Sequence, residues 1–133
     1  MALWRLALRQ EEKRDVEPEN DPLKLILSMK SIIEELYRSA DELETYQFQE
    51  YTKILRERYL LPISASRQLL INRFGMEKAA EVLITLSYGE RLINRVNSAA
   101  IDDHVEEAAR CAEEAYAAFQ QVYLLIKELQ KTQ

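Results

Sequence analysis

The sequence has little glycine and proline, with two and three residues respectively among 133. Tight β-hairpin turns depend on these residues, and no alternating β-branched run is present, so the sequence argues against β architectures. Its one cysteine, Cys111, rules out an internal disulfide and is compatible with a reducing, cytoplasmic setting. Alanine, leucine, glutamate, arginine, lysine and glutamine dominate instead, and all of them favour helix. The composition therefore predicts an all-α fold.

The sequence has one histidine, His104, and this limits the chemistry it can support. A zinc site needs several Cys or His ligands, and a di-iron bundle needs inward-facing Glu-x-x-His pairs. We expect His104 to be a solvated residue at a helix start and Cys111 to be a small buried thiol. A phosphate-binding Gly-x-x-x-x-Gly-Lys motif and a recognisable nucleophile–base pair are both missing. The sequence predicts no cofactor, no small-molecule substrate and no enzymatic activity.

Long apolar runs are also missing from the sequence. A membrane-spanning helix needs about 20 consecutive apolar residues, and no stretch approaches that length. The first ten residues, MALWRLALRQ, are too short and too interrupted by Arg5 and Arg9 for a secretory signal. We therefore expect no membrane association and a cytoplasmic location.

The first 22 residues differ from the rest of the chain. Residues 1–14 form a short amphipathic segment, and its apolar face is predicted to anchor on a partner or on the chain's own bundle. That face carries Leu3, Trp4, Ala7 and Leu8. Residues 15–22 form an acidic, proline-containing linker. Residues 23–133 are predicted to form a single helical-bundle domain, whose first helix Asp21 caps with Pro22 at its first position.

Apolar residues of this domain recur every three or four positions, the pattern of long helices packed lengthwise. In the first helix, predicted over about 22–60, they are Ile26, Met29, Ile33, Leu36, Ala40 and Leu43. The pattern then shifts to Tyr46, Phe48, Tyr51, Ile54 and Leu55. We expect either a rotated buried face or a kink near 45–48. Pro62 is predicted to end this helix, and Ser64 or Ser66 to cap the next one.

The last helix, predicted over about 103–131, has the clearest pattern. Its apolar positions are Val105, Ala108, Ala112, Ala115, Phe119, Val122, Ile126 and Leu129. Small residues fill the first half of this stripe, so a neighbouring helix is expected to pack closely at Ala108, Ala112 and Ala115. Asp103 followed by Glu106 resembles a capping box and predicts the helix start.

Both glycines lie on one stripe of the middle helix, predicted over about 64–100. Counting by three and four from Gly75 gives Ala79, Val82, Leu86, Gly89, Ile93, Val96 and Ala100. Because the phase continues across Gly89, we predict one continuous helix there, with Gly89 as a close-packing position. Gly75 is either a C-terminal helix stop or a residue within the same helix. The predicted fold is an elongated antiparallel bundle of three long helices, or four if the first breaks near residue 46.

The net charge of −5 is unevenly distributed: residues 1–50 carry −5, residues 51–97 carry +4 and residues 98–133 carry −4. On the three-helix arrangement, five basic side chains would flank the turn at Pro62: Lys53, Arg56, Arg58, Arg67 and Arg73. Acidic residues would collect at the opposite tip: Asp15, Glu17, Glu19, Asp21, Asp102, Asp103, Glu106 and Glu107. This uneven distribution is either an ordinary fluctuation of surface charge or the mark of a bipolar rod, a molecule with one basic tip and one acidic tip. In a bipolar rod the basic tip would meet an acidic partner, a phosphate backbone or another copy.

Two functions remain after these exclusions. Residues 67–86 resemble a helix-turn-helix at Phe74-Gly75-Met76, but Ile71 replaces a small residue of that motif and Glu81 an apolar one. A net charge of −5 also opposes general binding to duplex DNA. We therefore favour a non-enzymatic interaction or assembly protein, acting as an oligomer or as a small subunit of a larger complex. The alternative is an accessory subunit that contacts RNA or DNA phosphates through the five basic residues.

Overall fold

The computed structural model describes residues 21–132 and confirms the all-α class, with no strand in that range. The helices are α1 (Pro22–Ser28), α2 (Lys30–Ser39), α3 (Thr45–Ile54), α4 (Leu61–Ala65), α5 (Arg67–Phe74), α6 (Met76–Ile101) and α7 (Val105–Lys131). A 3-10 turn, Ala40–Glu42, follows α2, and a π-helix, Leu55–Leu60, joins α3 to α4.

The predicted start of the first helix is confirmed. The backbone N–H of Leu23 donates to Asp21 Oδ1 at 3.0 Å, and Pro22 occupies the first turn. Met29 separates α1 from α2 but keeps right-handed helical angles (φ −75°, ψ −8°) and is fully buried. The chain therefore follows a nearly continuous helical path from Pro22 to Ser39.

The first predicted helix breaks at 40–44, close to the kink expected near 45–48. Leu43 and Glu44 adopt extended backbone angles, and α3 begins at Thr45. Gln47 Oε1 accepts the backbone N–H of Glu44 at 2.8 Å, which closes a capping box at this new start. The prediction that Tyr46 lies on the buried face was wrong, because α3 begins a new helical phase and leaves Tyr46 48% exposed.

The prediction that Pro62 ends its helix was also wrong. The helical path continues from α3 through the π-helix to Ala65. The backbone N–H of Leu61 donates to the carbonyl of Arg56, five residues earlier, so the helix widens just before a proline that has no N–H to donate. The predicted serine cap does not form, since Ser64 lies inside α4 and the Ser66 hydroxyl donates back to the Pro62 carbonyl at 2.8 Å.

The two glycines have different conformations. Gly75 lies between α5 and α6 with φ 88° and ψ 158°, so the helix stop is the correct reading of this residue. α6 runs without interruption through Gly89, as its phase predicts. Asp103 does not cap α7: His104 holds that position, and the Asp103 carboxylate accepts a hydrogen bond from the Thr45 hydroxyl at 2.8 Å.

α6 and α7 pack against each other along their lengths, and the earlier helices cover this pair. α3 packs on α6, α2 packs on α7, and α1 packs against α4 and α5. The apolar stripes predicted for α2, α6 and α7 are buried, except at Val105, the first residue of α7, which is 36% exposed. The buried apolar residues form one connected core.

The reversal at 43–44 changes the predicted charge distribution. It returns the chain toward its start, so Asp21 lies at the end of the bundle that carries α4 and α5. Placing Asp21 with Asp102 and Asp103 at the opposite tip was therefore wrong. The other linker acids predicted there, Asp15, Glu17 and Glu19, lie outside the described residues.

Candidate functional site

The outer face of α6, defined by Met76, Ala80, Ile84 and Tyr88, is an exposed apolar stripe. Met76 is 67% exposed, Ile84 69% and Tyr88 48%, whereas Ala80 is half-buried. The four residues are spaced at intervals of four, which places them along one side of a helix. Single exposed apolar residues are ordinary, but a contiguous stripe with a polar border is typical of an interaction surface.

Packing on the opposite side of α6 fixes the direction of this face. Gly89 is buried against α7, and a Cβ at that position would lie 2.7 Å from Cζ of the Phe119 ring. Ile84 is five residues from Gly89 and therefore about 140° away around the helix. The fit of Gly89 against Phe119 thus directs Ile84 away from the core. On α7 the small residues Ala108, Ala112 and Ala115 are buried as well.

Opposite charges border the two halves of the outer face. Glu77 and Glu81 are exposed beside its first half, and Arg91 and Arg95 beside and beyond its second half. The Arg91 guanidinium lies over the Tyr88 ring, 6.0 Å from the centroid, a cation–π arrangement. The face is therefore apolar along its centre, negative at its start and positive at its end.

A second candidate is a polar cleft between α6 and the segment formed by α3 and the π-helix. Its volume is about 170 Å³, and it is lined by Gln49, Thr52, Lys53, Arg56, Glu57, Asn94 and Asn97. The buried Thr52 hydroxyl lies within hydrogen-bond distance of the Gln49 carbonyl oxygen (3.1 Å) and of Asn97 Oδ1 (3.2 Å). Two cations and several amide groups form a set that suits phosphate oxygens, with Glu57 opposing them.

The five predicted basic residues do not form one patch at this cleft. All five are exposed, but only Lys53 and Arg56 line it. Arg73 instead lies over the neighbouring Phe74 ring at 5.6 Å. The sequence-based prediction missed the amide groups of α6 that complete the cleft. Asn94 and Asn97, three residues apart on α6, were the available signal.

Three polar side chains elsewhere, half-buried Glu35 and Tyr123 and buried Tyr51, are suited to structural roles. Burial raises the pKa of the Glu35 carboxyl, which the Tyr51 hydroxyl and the Arg38 guanidinium partly lower. Burial and the Glu35 carboxylate in turn hold the pKa of Tyr51 far above its usual range, and burial does the same for the pKa of Tyr123. These tyrosines keep their protons at neutral pH and offer no base for catalysis.

The single cysteine and histidine lie where the sequence predicts. Cys111 is buried in α7, and burial raises the pKa of its thiol, which disfavours the reactive thiolate. His104 is exposed, with Nδ1 3.8 Å from a Glu107 carboxylate oxygen. Among residues 21–132, no three His, Cys, Asp or Glu side chains are grouped as metal ligands.

Some predictions fall outside the described part of the chain. The proposed N-terminal anchor, Leu3, Trp4, Ala7 and Leu8, lies within residues 1–20. Of the described helices, none combines the length and the apolar character needed to cross a membrane.

Comparison with known proteins assigns no family to this chain. No protein-family model, no curated protein and no solved structure matches it. Its function is therefore inferred from the outer face of α6 and from the polar cleft.

Proposed function

We propose that this protein is a non-enzymatic helical interaction protein that binds a protein partner through the outer face of α6. It would act in the cytoplasm, as an oligomer or as a small subunit of a larger assembly. The observation that carries this proposal is the exposure of Met76, Ile84 and Tyr88 along one side of a long, well-packed helix. Residues 1–14 are a second proposed contact, supported by their amphipathic pattern around Trp4.

The energetics favour covering this face. Complete burial of a large apolar side chain contributes about 1.5–3 kcal/mol, and three such side chains on the outer face are 48–69% exposed to water. Tyr88 adds an amphipathic ring of the kind enriched at protein interfaces. A helix that presents apolar residues at i, i+4 and i+8 suits a partner helix or a groove.

Site-specific photocrosslinking in cells tests this proposal. A benzoylphenylalanine at position 84 should crosslink to protein, because Ile84 lies at the centre of the outer face. The matched control is position 124 on α7, where Leu124 is 57% exposed and the residues three and four positions away are polar. A crosslink at 84 and none at 124 supports the proposal, whereas equal or absent crosslinking at both positions contradicts it.

A second candidate function is contact with nucleic-acid phosphates at the polar cleft. The observation that favours it is the placement of Lys53 and Arg56 beside Asn94 and Asn97 in one cleft. Lys53→Gln with Arg56→Gln removes both positive charges of the cleft and should weaken binding to single-stranded RNA. The slope of the logarithm of the binding constant against the logarithm of the salt concentration should become shallower by about 0.7 per lost phosphate contact.

Fluorescence anisotropy with a labelled single-stranded RNA measures both effects. The matched control is Arg67→Gln with Arg73→Gln, which removes two exposed arginines that do not line the cleft. This control has the same net charge as Lys53→Gln with Arg56→Gln. Equal losses in the two double variants would show only a general charge effect. No binding by the unaltered chain at low salt would eliminate this candidate.

A further inference from the structure

We infer that the partner of the outer face of α6 is the same face of a second copy of this chain, paired antiparallel about a two-fold axis at Ile84. This inference rests on the proposed function, and it adds the identity of the partner and the register of the pairing. It follows from the positions of four residues around Ile84.

The sequence of the outer face is complementary to itself when reversed. Glu77 lies seven residues before Ile84 and Arg91 seven residues after it, and both are exposed. Ala80 and Tyr88 lie four residues before and after the same position. In an antiparallel pair centred on Ile84, Glu77 therefore faces the second copy's Arg91, and Tyr88 packs over the second copy's Ala80.

Charge also selects this orientation over a parallel one. Two parallel copies would place Glu77 opposite Glu77 and Arg91 opposite Arg91, so both ends would repel. The antiparallel arrangement forms two opposite-charge pairs and is isologous, so it closes at two copies. Helices at a shallow crossing angle of about 20° stay close enough over this length for all four positions to meet.

The contact is small for a permanent dimer. It offers three large apolar side chains per copy, whereas a standard interface uses about 20–30 residues a side. We therefore expect a weak, concentration-dependent dimer. Sedimentation equilibrium of the full chain from about 10 µM to about 1 mM should show its mass rising from 15.6 kDa toward twice that value.

Charge exchange provides the decisive test. Glu77→Arg and Arg91→Glu should each weaken dimerisation by at least about tenfold, because each single variant places like charges opposite each other. An equimolar mixture of the two single variants should dimerise again, since both ends of the mixed dimer then carry opposite charges. The double variant E77R/R91E should dimerise for the same reason. Both residues are exposed, and circular dichroism should show unchanged helicity.

A matched pair of apolar substitutions locates the contact. Ile84→Glu should abolish dimerisation, whereas Leu124→Glu, at a position on α7 that is 57% exposed, should leave it intact. A chain that stays monomeric at every concentration overturns the inference, and so does a mixture that shows no rescue. Dimerisation that appears only after deletion of residues 1–14 also overturns it, because the chain's own N-terminus would then cover Ile84.

The two proposals fail in different ways. A crosslink from position 84 to a different protein, together with a monomeric chain, contradicts the two-fold pairing but supports the proposed function. No crosslink to any protein contradicts both.

Discussion

The α6–α7 pair and the chain that precedes it are both helical, but their construction differs. α6 and α7 run uninterrupted for 26 and 27 residues and pack along their lengths. Residues 22–74 instead consist of short helices separated by a 3-10 turn, a π-helix and a reversal at 43–44. The long pair has small residues on its contact side, so its two helices pack closely. Among the earlier segments, α3 and α5 pack on α6 and α2 packs on α7, whereas α1 packs against α4 and α5.

The largest expected effect tests the role of close packing in the α6–α7 pair. Phe119 is fully buried with its ring against Gly89. Phe119→Ala should lower the free energy of unfolding by about 3–5 kcal/mol through lost burial and the cavity it leaves. Urea denaturation measures this change. A loss under about 1 kcal/mol would mean that this contact does not hold the pair together.

The next effect tests the junction between the two regions. Gly75 adopts φ 88° and ψ 158°, a combination that only glycine adopts readily, while a Cβ there would meet nothing within 4 Å. Gly75→Ala should therefore destabilise by about 1–3 kcal/mol through backbone strain alone. A gain of about 1 kcal/mol would instead indicate one continuous helix across α5 and α6.

Gly89→Ala tests the other glycine, with a smaller effect whose sign depends on its neighbour. Overpacking against Phe119 should cost about 1–3 kcal/mol, and alanine's better helix propensity should offset about 1 of it. In a Phe119→Ala background the clash disappears, and Gly89→Ala should stabilise by about 1 kcal/mol. Gly75→Ala does not involve Phe119, so its effect should add to that of Phe119→Ala within about 0.5 kcal/mol. If Phe119→Ala made both glycine substitutions stabilising, the contact of Phe119 with Gly89 alone would be contradicted.

The smallest effect concerns the contact between α2 and α3. Burial raises the folded-state pKa of Glu35 above the ordinary 4.5, so the folded chain holds this proton more tightly than the unfolded chain. The stabilisation that this pKa difference provides is complete below the pKa of Glu35 in the unfolded chain. It is lost as pH rises through the pKa of Glu35 in the folded chain. Glu35→Gln should thus stabilise at pH 7 by less than about 1 kcal/mol, since Glu35 is partly solvated, and should give no gain near pH 4. Denaturation at both pH values measures this, and an equal gain at both would contradict it.

The sequence predicts the α6–α7 pair well because local spacing determines it. The phase of small and apolar residues across Gly89 and along 108–129 reports which side is buried, and no distant contact changes it. Val105 is the exception, since the first residue of a helix has no preceding turn to cover it.

The first half is harder to predict because distant packing decides it. A proline such as Pro62 is compatible both with a widened helix before it and with a helix end, and no local signal distinguishes the two. Glu44 is an unusual capping residue, and the sequence therefore predicts the break near 45–48 instead of at 40–44. The three-helix arrangement has no reversal at 43–44, and it therefore places Asp21 at the wrong end of the bundle. The polar cleft was missed for the same reason, since Lys53 and Asn94 meet only through packing.

Inter-copy distances between spin labels test the central claim most directly. Single cysteines at 77 or 91, in a Cys111→Ala background, carry the label. In the antiparallel dimer, two copies labelled at 77 are about 21 Å apart along the axis, as are two labelled at 91. A 77-labelled copy mixed with a 91-labelled one brings the labels opposite each other, across helix axes about 8–10 Å apart. The account predicts a shorter distance in the mixture than in either sample alone. A shorter distance between two 77 labels, or no inter-copy distance at any concentration, would contradict it.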